Sequence, residues 1–281
     1  MIVVTGATGN IGSSLVPLLA ASGAQVTAVS RRAGSMALPD GVRHVAADLA
    51  DPASLSPALA GADALFLLIS GEQLIAGPEP EEVLGVVAEA GVRRVVFVSS
   101  VGTQTRPEAA GYDRLRAYEN ALRASSLEWT ILRPGGFFSN TYAWVESVRG
   151  EQTVAAPFGS VGLPSVDPAD IAAVAAAALR EDGHAGRIYT LTGPALSTPR
   201  EQAAALGAAL GTEVRFVELS PAQAREGMLR FMPESVVDHT LEILGSPTPD
   251  ELLISPDIEK VLGRGAGTYA QWAERNRAVF A

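Results

Sequence analysis

A chain of 281 residues, 47% hydrophobic and 19% charged, can fill the core of one large α/β domain or of a domain with a smaller appendage. A net charge of −10 repels phosphate backbones, so we expect no nucleic-acid partner. The absence of cysteine excludes disulfides and thiolate chemistry. Because the three histidines are scattered along the chain, we also expect no metal. Without a membrane-length apolar run or a signal-peptide pattern, we expect a cytoplasmic protein that contacts no membrane.

Short apolar runs alternate with helical patterns over the first half of the chain. The runs are nearly continuous in apolar residues, which is typical of parallel strands covered on both faces. Strand–helix–strand units at this spacing predict an α/β fold with a doubly wound parallel sheet in residues 1–136. The predicted strands are Ile2–Gly6, Gln25–Ser30, Arg43–Asp48, Ala64–Ser70, Arg93–Ser100 and Glu128–Gly135, and the predicted helices are Ile11–Ser22, Pro52–Ala60 and Pro80–Ala90.

The pattern is less regular beyond residue 136. Helices at Asp167–Leu179 and Pro199–Leu210 alternate with strands at Arg187–Leu191 and Glu213–Glu218, and the rest of the chain is mostly helical. We interpret residues 137–281 as a smaller C-terminal substrate lobe, interleaved with the last strands of the large sheet.

The heptapeptide GATGNIG follows the first predicted strand and opens the first helix. In a dinucleotide-binding turn its three glycines permit a tight turn, the approach of a pyrophosphate and close packing of helix on strand. Free N–H groups and the positive helix end then hold the phosphates. The alternative is a glycine-rich turn without a ligand, and we expect Pro17 to kink the helix. The predicted cofactor-binding residues are Gly6, Ala7, Thr8, Gly9, Asn10, Ile11 and Gly12.

The end of the second strand indicates which dinucleotide is bound. An NAD site usually has an acid there for the ribose 2′-OH, whereas this chain has Arg31 and Arg32 after Ser30. Guanidinium groups suit the forked hydrogen bonds of a 2′-phosphate, so NADP is preferred and NAD is the alternative. Otherwise both arginines are solvated or stack on the adenine. Asp48 and Leu49, which end the third strand, are expected beside the adenine.

Five further segments follow the glycine loop in order, and together they resemble the NmrA-like group of atypical short-chain dehydrogenases/reductases over essentially the whole chain. The resemblance implies a Rossmann domain, an NAD(P) cofactor and a small C-terminal lobe over the nicotinamide, and we expect a monomer or a homodimer. The segments are AADLAD (Ala46–Asp51), FVSSVG (Phe97–Gly102), SLEWTILRPGGFFSN (Ser126–Asn140), PSVDPADIAAVAAAAL (Pro164–Leu179) and YTLTGP (Tyr189–Pro194).

The resemblance also implies which residues line the cofactor and the substrate. Phe137 and Phe138 would shape the substrate side, with core packing between the lobes as the alternative, above all for Phe138. The residues implied to line the cofactor are Leu68, Ile69 and Ser70 after the fourth strand and Pro134, Gly135, Gly136 and Phe137 after the sixth.

Ketone-reducing members of the wider superfamily often pair a tyrosine with a lysine four residues later, which depresses the tyrosine pKa. That pair cannot exist here in its usual form, because Lys260 is the only lysine. Tyr112 and Arg116 have the same spacing, but the E-x-x-L-x-x-S block that begins at Glu119 places the family positions one residue earlier. We expect Tyr112 to pack or to line a pocket, with direct chemistry as the alternative, and Arg116 to be a solvated helix arginine.

Transfer of a hydride to a quinone or another electrophilic conjugated acceptor survives without the pair, because conjugation already stabilises the developing oxyanion and positioning does the rest. Ser99, Ser100 and Thr103 follow the fifth strand, where a hydroxyl would meet cofactor or substrate, or would only cap the turn. Gln104, on a loop at the same edge, is expected on the substrate side.

These observations predict an NADP-dependent oxidoreductase that acts on a quinone-like or aromatic small molecule. Two alternatives stay open: a reductase or oxygenase-type tailoring enzyme of aromatic polyketide biosynthesis, and a non-catalytic NAD(P)-sensing regulator.

Overall fold

The computed structural model describes residues 1–32 and 38–281, which form two compact units. None of the helices in these ranges is long and apolar enough to cross a bilayer. The chain first passes from one unit to the other after Pro134, and it returns to the first unit twice. The first unit consists of Met1–Pro134, Pro168–Leu191 and Asp257–Gly263, and the second of Gly135–Asp167, Thr192–Pro256 and Arg264–Ala281.

The first unit is built on a parallel sheet of seven strands, which confirms the predicted doubly wound α/β fold. Its strands are β1 (Ile2–Val4), β2 (Val26–Ser30), β3 (Arg43–Ala46), β4 (Ala64–Leu68), β5 (Arg94–Val98), β6 (Glu128–Pro134) and, after one strand that belongs to the second unit, β8 (Arg187–Leu191). Their order in the sheet is β3-β2-β1-β4-β5-β6-β8. The order reverses between β1 and β4, and open α/β sheets bind ligands at such a point, beyond the carboxyl ends of the strands.

Helices cover the sheet because its central strands are buried almost throughout. In the first unit they are α1 (Gly12–Ala21), α2 (Ser56–Leu59), α3 (Pro80–Glu89), α4 (Gly102–Thr105), α5 (Asp113–Ala124), α7 (Pro168–Arg180) and α11 (Asp257–Leu262). Pro17 lies inside α1, and the helix continues past it to Ala21. The proline costs α1 one backbone hydrogen bond, since its nitrogen carries no hydrogen.

The second unit combines a two-stranded parallel sheet with helices and has its own aromatic core. Its elements are β7 (Thr153–Ala156), β9 (Arg215–Glu218), α6 (Val145–Glu151), α8 (Pro199–Leu210), α9 (Pro221–Met228), α10 (Glu234–Gly245) and α12 (Tyr269–Phe280). The ring of Phe138 is 2% exposed and meets the ring of Tyr269 edge-on, with 5.2 Å between ring centroids. Core packing is therefore what the structure shows for Phe138, within the second unit, and its side chain offers no surface to a substrate.

Candidate functional site

The glycine loop between β1 and α1 has no room for side chains at its two ends. Gly6 has a φ of +60°, and a Cβ there would lie 2.9 Å from Leu68 Cδ2. A Cβ on Gly12 would lie 2.3 Å from the carbonyl oxygen of Gly6 and 2.6 Å from Ala7 Cα. Gly6 is thus required by backbone conformation and Gly12 by the close approach of α1 to the loop, as the motif predicts.

The same loop presents N–H donors at the positive end of a helix. The N–H of Ala7 bonds to the Val29 carbonyl at 3.2 Å, and the N–H of Gly9 bonds to the Gly6 carbonyl at 2.9 Å. Within the described part of the chain, the amides of Thr8, Ile11 and Gly12 donate to no protein group. The first turn of α1 has no acidic residue and no capping side chain. Backbone donors, helix dipole and glycine spacing together fit the diphosphate of a dinucleotide.

The turn after β2 displays two arginines at the surface. Arg31 and Arg32 are both exposed. The Ser30 hydroxyl donates to the carbonyl oxygen of Arg32 at 3.0 Å, and Ser30 Oγ lies 2.9 Å from His44 Nε2 on β3. His44 stands in no motif, and only the pairing of β2 with β3 brings it to this turn.

Asp48 holds the turn that follows β3. Its Oδ1 accepts from the N–H of Ala50 at 3.0 Å and from Gln73 Nε2 at 3.4 Å. Leu49, next in the chain, is partly buried against the hydrophobic core. Their expected place beside an adenine stays a prediction.

At the end of β4, the three predicted cofactor-lining residues differ in what they expose. Leu68 lies under Gly6 and is partly buried, and its N–H donates to Thr5 Oγ1 at 3.0 Å. The side chain of Ile69 is 4% exposed and belongs to the core, so only its backbone can border a ligand. Ser70 is exposed.

A buried carboxylate lies behind the end of β5. Glu119 on α5 is 1% exposed, and Oε1 accepts from the Ser99 hydroxyl at 2.6 Å and from the Thr103 hydroxyl at 3.1 Å. Arg133 on β6 donates to both carboxylate oxygens through Nε at 2.9 Å and Nη2 at 2.5 Å, and Arg123 Nη2 lies 2.7 Å from Oε2. Burial raises the pKa of Glu119, but hydrogen bonds from Arg133 and Ser99 outweigh it and hold the pKa below its ordinary value.

The three candidate hydroxyls after β5 are differently engaged. Ser99 donates to Glu119, and Thr103 shares its proton between Glu119 and the Ser100 carbonyl at 2.8 Å. Ser100 Oγ accepts from the N–H of Gly102 at 3.2 Å and, within residues 1–32 and 38–281, donates to no protein group. Ser100 is therefore the one of the three whose proton is available to a ligand.

Tyr112 reaches the same sheet edge by a different route from the one its spacing suggests. It ends a short 3-10 turn (Ala110–Tyr112) and precedes α5 rather than lying within it. A Cβ on Gly102 would lie 2.0 Å from Tyr112 Cζ and 2.4 Å from its hydroxyl oxygen, so the phenol packs directly on the backbone of Gly102. The expectation of a packing or pocket-lining tyrosine fits this position.

Two arginine side chains of α5 bind backbone carbonyl groups of the flanking loops. Arg116 donates to the carbonyl oxygens of Arg106 at 3.3 Å and Ala109 at 2.7 Å, and it pairs with Asp113 at 2.6 Å. It is half-buried, so the expectation of a solvated helix arginine is wrong. Arg114 donates to the carbonyl oxygens of Gln73 at 2.9 Å and Pro78 at 2.7 Å.

The residues predicted after β6 fall on both sides of the boundary between the two units. Pro134 is buried at the end of β6, and its carbonyl oxygen accepts from the N–H of Val101 at 3.0 Å. Gly135, Gly136 and Phe137 belong to the second unit, where the Gly136 carbonyl accepts from the N–H of Val166 at 2.7 Å. Their contact with a cofactor stays a prediction.

The glycine loop, the uncapped helix end and the order of strands define a dinucleotide-binding protein of the Rossmann class. Comparison with known proteins agrees. Residues 6–182 match the NAD(P)H-binding family. Over the whole chain and 99% of each relative, the sequence is 36% identical to a (4-alkanoyl-5-oxo-2,5-dihydrofuran-3-yl)methyl phosphate reductase of Streptomyces griseus and 32% identical to an NAD(P)H azoreductase of Xenophilus azovorans.

Among solved structures, an NADPH-dependent quinone oxidoreductase of Escherichia coli complexed with NADPH superimposes with a TM-score of 0.80. Its sequence is 27% identical, and the match covers 98% of this chain and 99% of that one. The chain belongs to the NAD(P)H-binding family. It is an NAD(P)-dependent oxidoreductase, as the sequence predicted.

Proposed function

We propose that the protein is an NADPH-dependent reductase of small, electron-poor conjugated acceptors of the quinone type. The observation that carries the proposal lies at the end of β5, where the hydroxyl available to a ligand among the described residues, that of Ser100, is neutral. The phenol of Tyr112 packs on Gly102, and Arg116, the cation at the expected spacing, is bound to loop carbonyls and Asp113. Because Arg116 is engaged in this way, it does not take the place of the family's lysine, and the site suits acceptors that need little help from a strong acid.

The names of three relatives describe acceptors of one chemical kind. A 4-alkanoyl-5-oxo-2,5-dihydrofuran has a ring C=C bond bearing two carbonyl groups, an azo compound has an N=N bond, and a quinone has C=C bonds conjugated with carbonyls. Each is an electron-poor π bond, and addition of a hydride leaves a negative charge that is delocalised or lies on an electronegative atom. That shared chemistry supports the proposed substrate class.

Gly6–Gly12 would hold the cofactor diphosphate, and Arg31 and Arg32 would hold a 2′-phosphate, which favours NADPH over NADH. A cofactor held there would supply the hydride, and one proton would complete the two-electron reduction of the acceptor. Ser100 has the available hydroxyl to pass that proton from water, while Thr103 supports the turn and Tyr112 shapes the pocket.

Two measurements test the proposal. Calorimetric titration should show NADPH binding at least about tenfold more tightly than NADH, and Arg31→Ala with Arg32→Ala should remove most of that difference, because guanidinium–phosphate hydrogen bonds are charge-assisted. Tighter binding of NADH would refute the role of the two arginines. Oxidation of NADPH should then follow the addition of simple quinones; tight cofactor binding without turnover across a quinone and azo panel would favour a sensor.

The role of Tyr112 has its own test. Tyr112→Phe keeps the ring on Gly102 and removes only the hydroxyl, so we expect less than about a tenfold loss in the rate of quinone reduction. A loss of about a thousandfold would make Tyr112 the proton donor, since general acid catalysis contributes on the order of 100- to 10,000-fold.

A further inference from the structure

Gln104 has an amide orientation that its neighbour dictates. It is exposed on α4, just beyond the carboxyl end of β5, and its Oε1 lies 2.8 Å from Arg133 Nη1. A guanidinium can only donate hydrogen bonds, so the carbonyl oxygen of Gln104 must face Arg133 and the NH₂ group must face away. Within the described residues that NH₂ group donates to no protein acceptor.

Arg133 is itself held rigidly. Its Nε and Nη2 atoms form a two-pronged contact with the carboxylate of Glu119, which leaves Nη1 for Gln104. Glu119 is buried and is fixed from other sides by Ser99, Thr103 and Arg123. A chain of charge-assisted contacts therefore fixes the Gln104 amide before any ligand arrives, which lowers the entropy cost of binding.

We propose that Gln104 is a specificity-determining residue, whose NH₂ group binds a carbonyl oxygen of the acceptor, and that Arg133 is its positioning residue. Ser100, four residues earlier on the same turn, supplies a second neutral donor. Two donors favour acceptors that carry an oxygen over acceptors that take up a hydride at carbon and have no oxygen. A ligand that covers an N–H or O–H donor without accepting its hydrogen bond loses binding free energy. The assignment rests on the proposed function for the class of ligand.

The first test measures binding without turnover. The complex of the protein with NADP⁺ is titrated with 1,4-naphthoquinone, which the oxidised cofactor cannot reduce. Gln104→Glu keeps an oxygen for Arg133 and removes both N–H donors. We expect the quinone dissociation constant to rise about tenfold, the worth of one hydrogen bond, while the affinity for NADP⁺ stays unchanged.

The second test separates positioning from general stability. Arg133→Lys keeps a positive charge near Glu119 but removes the group that faces Gln104, whereas Arg123→Lys alters the other arginine of the same carboxylate. Arg133→Lys should weaken quinone binding as much as Gln104→Ala does, and the double variant should be no weaker than either. Arg123→Lys should leave quinone binding unchanged.

A third measurement uses a triphenylmethane dye cation, whose reduction site is a carbon without an attached oxygen. Gln104→Glu should not weaken its binding to the NADP⁺ complex. Equal loss for dye and quinone, unchanged quinone affinity in Gln104→Glu, or no quinone binding by the wild-type complex would each overturn the role of Gln104. If the binding losses appear as expected but NADPH is not oxidised by any acceptor, the role of Gln104 stands and the proposed reductase activity fails.

Discussion

Glu119→Gln tests whether the buried carboxylate stabilises the ends of β5 and β6. The replacement has the same shape, but it places an NH₂ group among donors that already converge on the site. Arg133 and Arg123 would lose their shared anion, and one of the hydroxyl or guanidinium donors would face another donor. The perturbation thus breaks a buried ion pair without creating a cavity.

The expected size follows from how buried the partners are. The Glu119 side chain is 2% exposed and that of Arg133 is 13% exposed, whereas Arg123 is 36% exposed and contributes less. Removing one partner of a buried pair costs about 3–5 kcal/mol, and we take about 3 kcal/mol here. At about 2–4 °C per kcal/mol for a chain of this size, the melting temperature should fall by roughly 6–12 °C.

The assay is calorimetric melting of wild type, Glu119→Gln and a control that loses the same charge at an exposed site. Glu89→Gln near the end of α3 is such a control, and its effect should lie within about 0.5 kcal/mol. Because the folded pKa of Glu119 lies below the ordinary value of 4.5 for a glutamate, its stabilising contribution is present above that pH. The contribution is lost as pH falls through the folded pKa, so wild type and Glu119→Gln should converge in acid.

Two results would refute this reasoning. If Glu119→Gln melts within about 2 °C of Glu89→Gln, a shift expected of surface changes, the carboxylate does not anchor the ends of β5 and β6. If the difference between Glu119→Gln and wild type grows in acid, burial governs the pKa of Glu119 and raises it.

Three smaller predictions address single positions. Gly12→Ala should weaken NADPH binding at least about 100-fold in calorimetric titration, because its Cβ would overlap the Gly6 carbonyl and push α1 from the phosphates; binding within threefold of wild type would contradict this. Gly102→Ala should displace Tyr112 and lower quinone turnover while NADPH affinity persists, which steady-state kinetics and titration would separate, and unchanged turnover would show that the phenol has room to move. Thr268→Ala removes the capping box of α12 and should cost about 1 kcal/mol in denaturant melting, whereas a change below about 0.3 kcal/mol would mean that packing alone holds the helix.

The sheet was predictable because its strands are continuous apolar runs, and such runs exist only where both faces are covered. A proline at the first helical position made the start of some helices predictable, and α8 begins at Pro199 and ends at Leu210, as predicted. The two units were harder, because the chain leaves the first unit after Pro134 and comes back for α7 and β8. Hydrophobic periodicity identifies elements but does not say which unit an element joins.

The candidate site was predictable where a motif is local and hidden where it is assembled by folding. The glycine loop is seven adjacent residues, whereas Glu119 meets Ser99 and Arg133 across 20 and 14 positions of sequence. Glu119 did appear in the family pattern, but only as a marker of register. The prediction for Tyr112 assumes that the residue lies on a helix. In the structure α5 starts one residue after Tyr112, so rotation about the α5 axis does not describe where its phenol lies.

Arg114 and Arg116 grip carbonyl groups of the two loops beside the sheet edge, and a carbonyl group is present whatever amino acid stands at a position. These hydrogen bonds therefore do not depend on which side chains the loops carry. Residues at Gln73, Pro78, Arg106 and Ala109 can be exchanged over generations, or in a directed library, while the loops stay fastened to α5. Substitutions in these loops can therefore change which molecules the protein binds while the hydrogen bonds that hold the loops to α5 are kept.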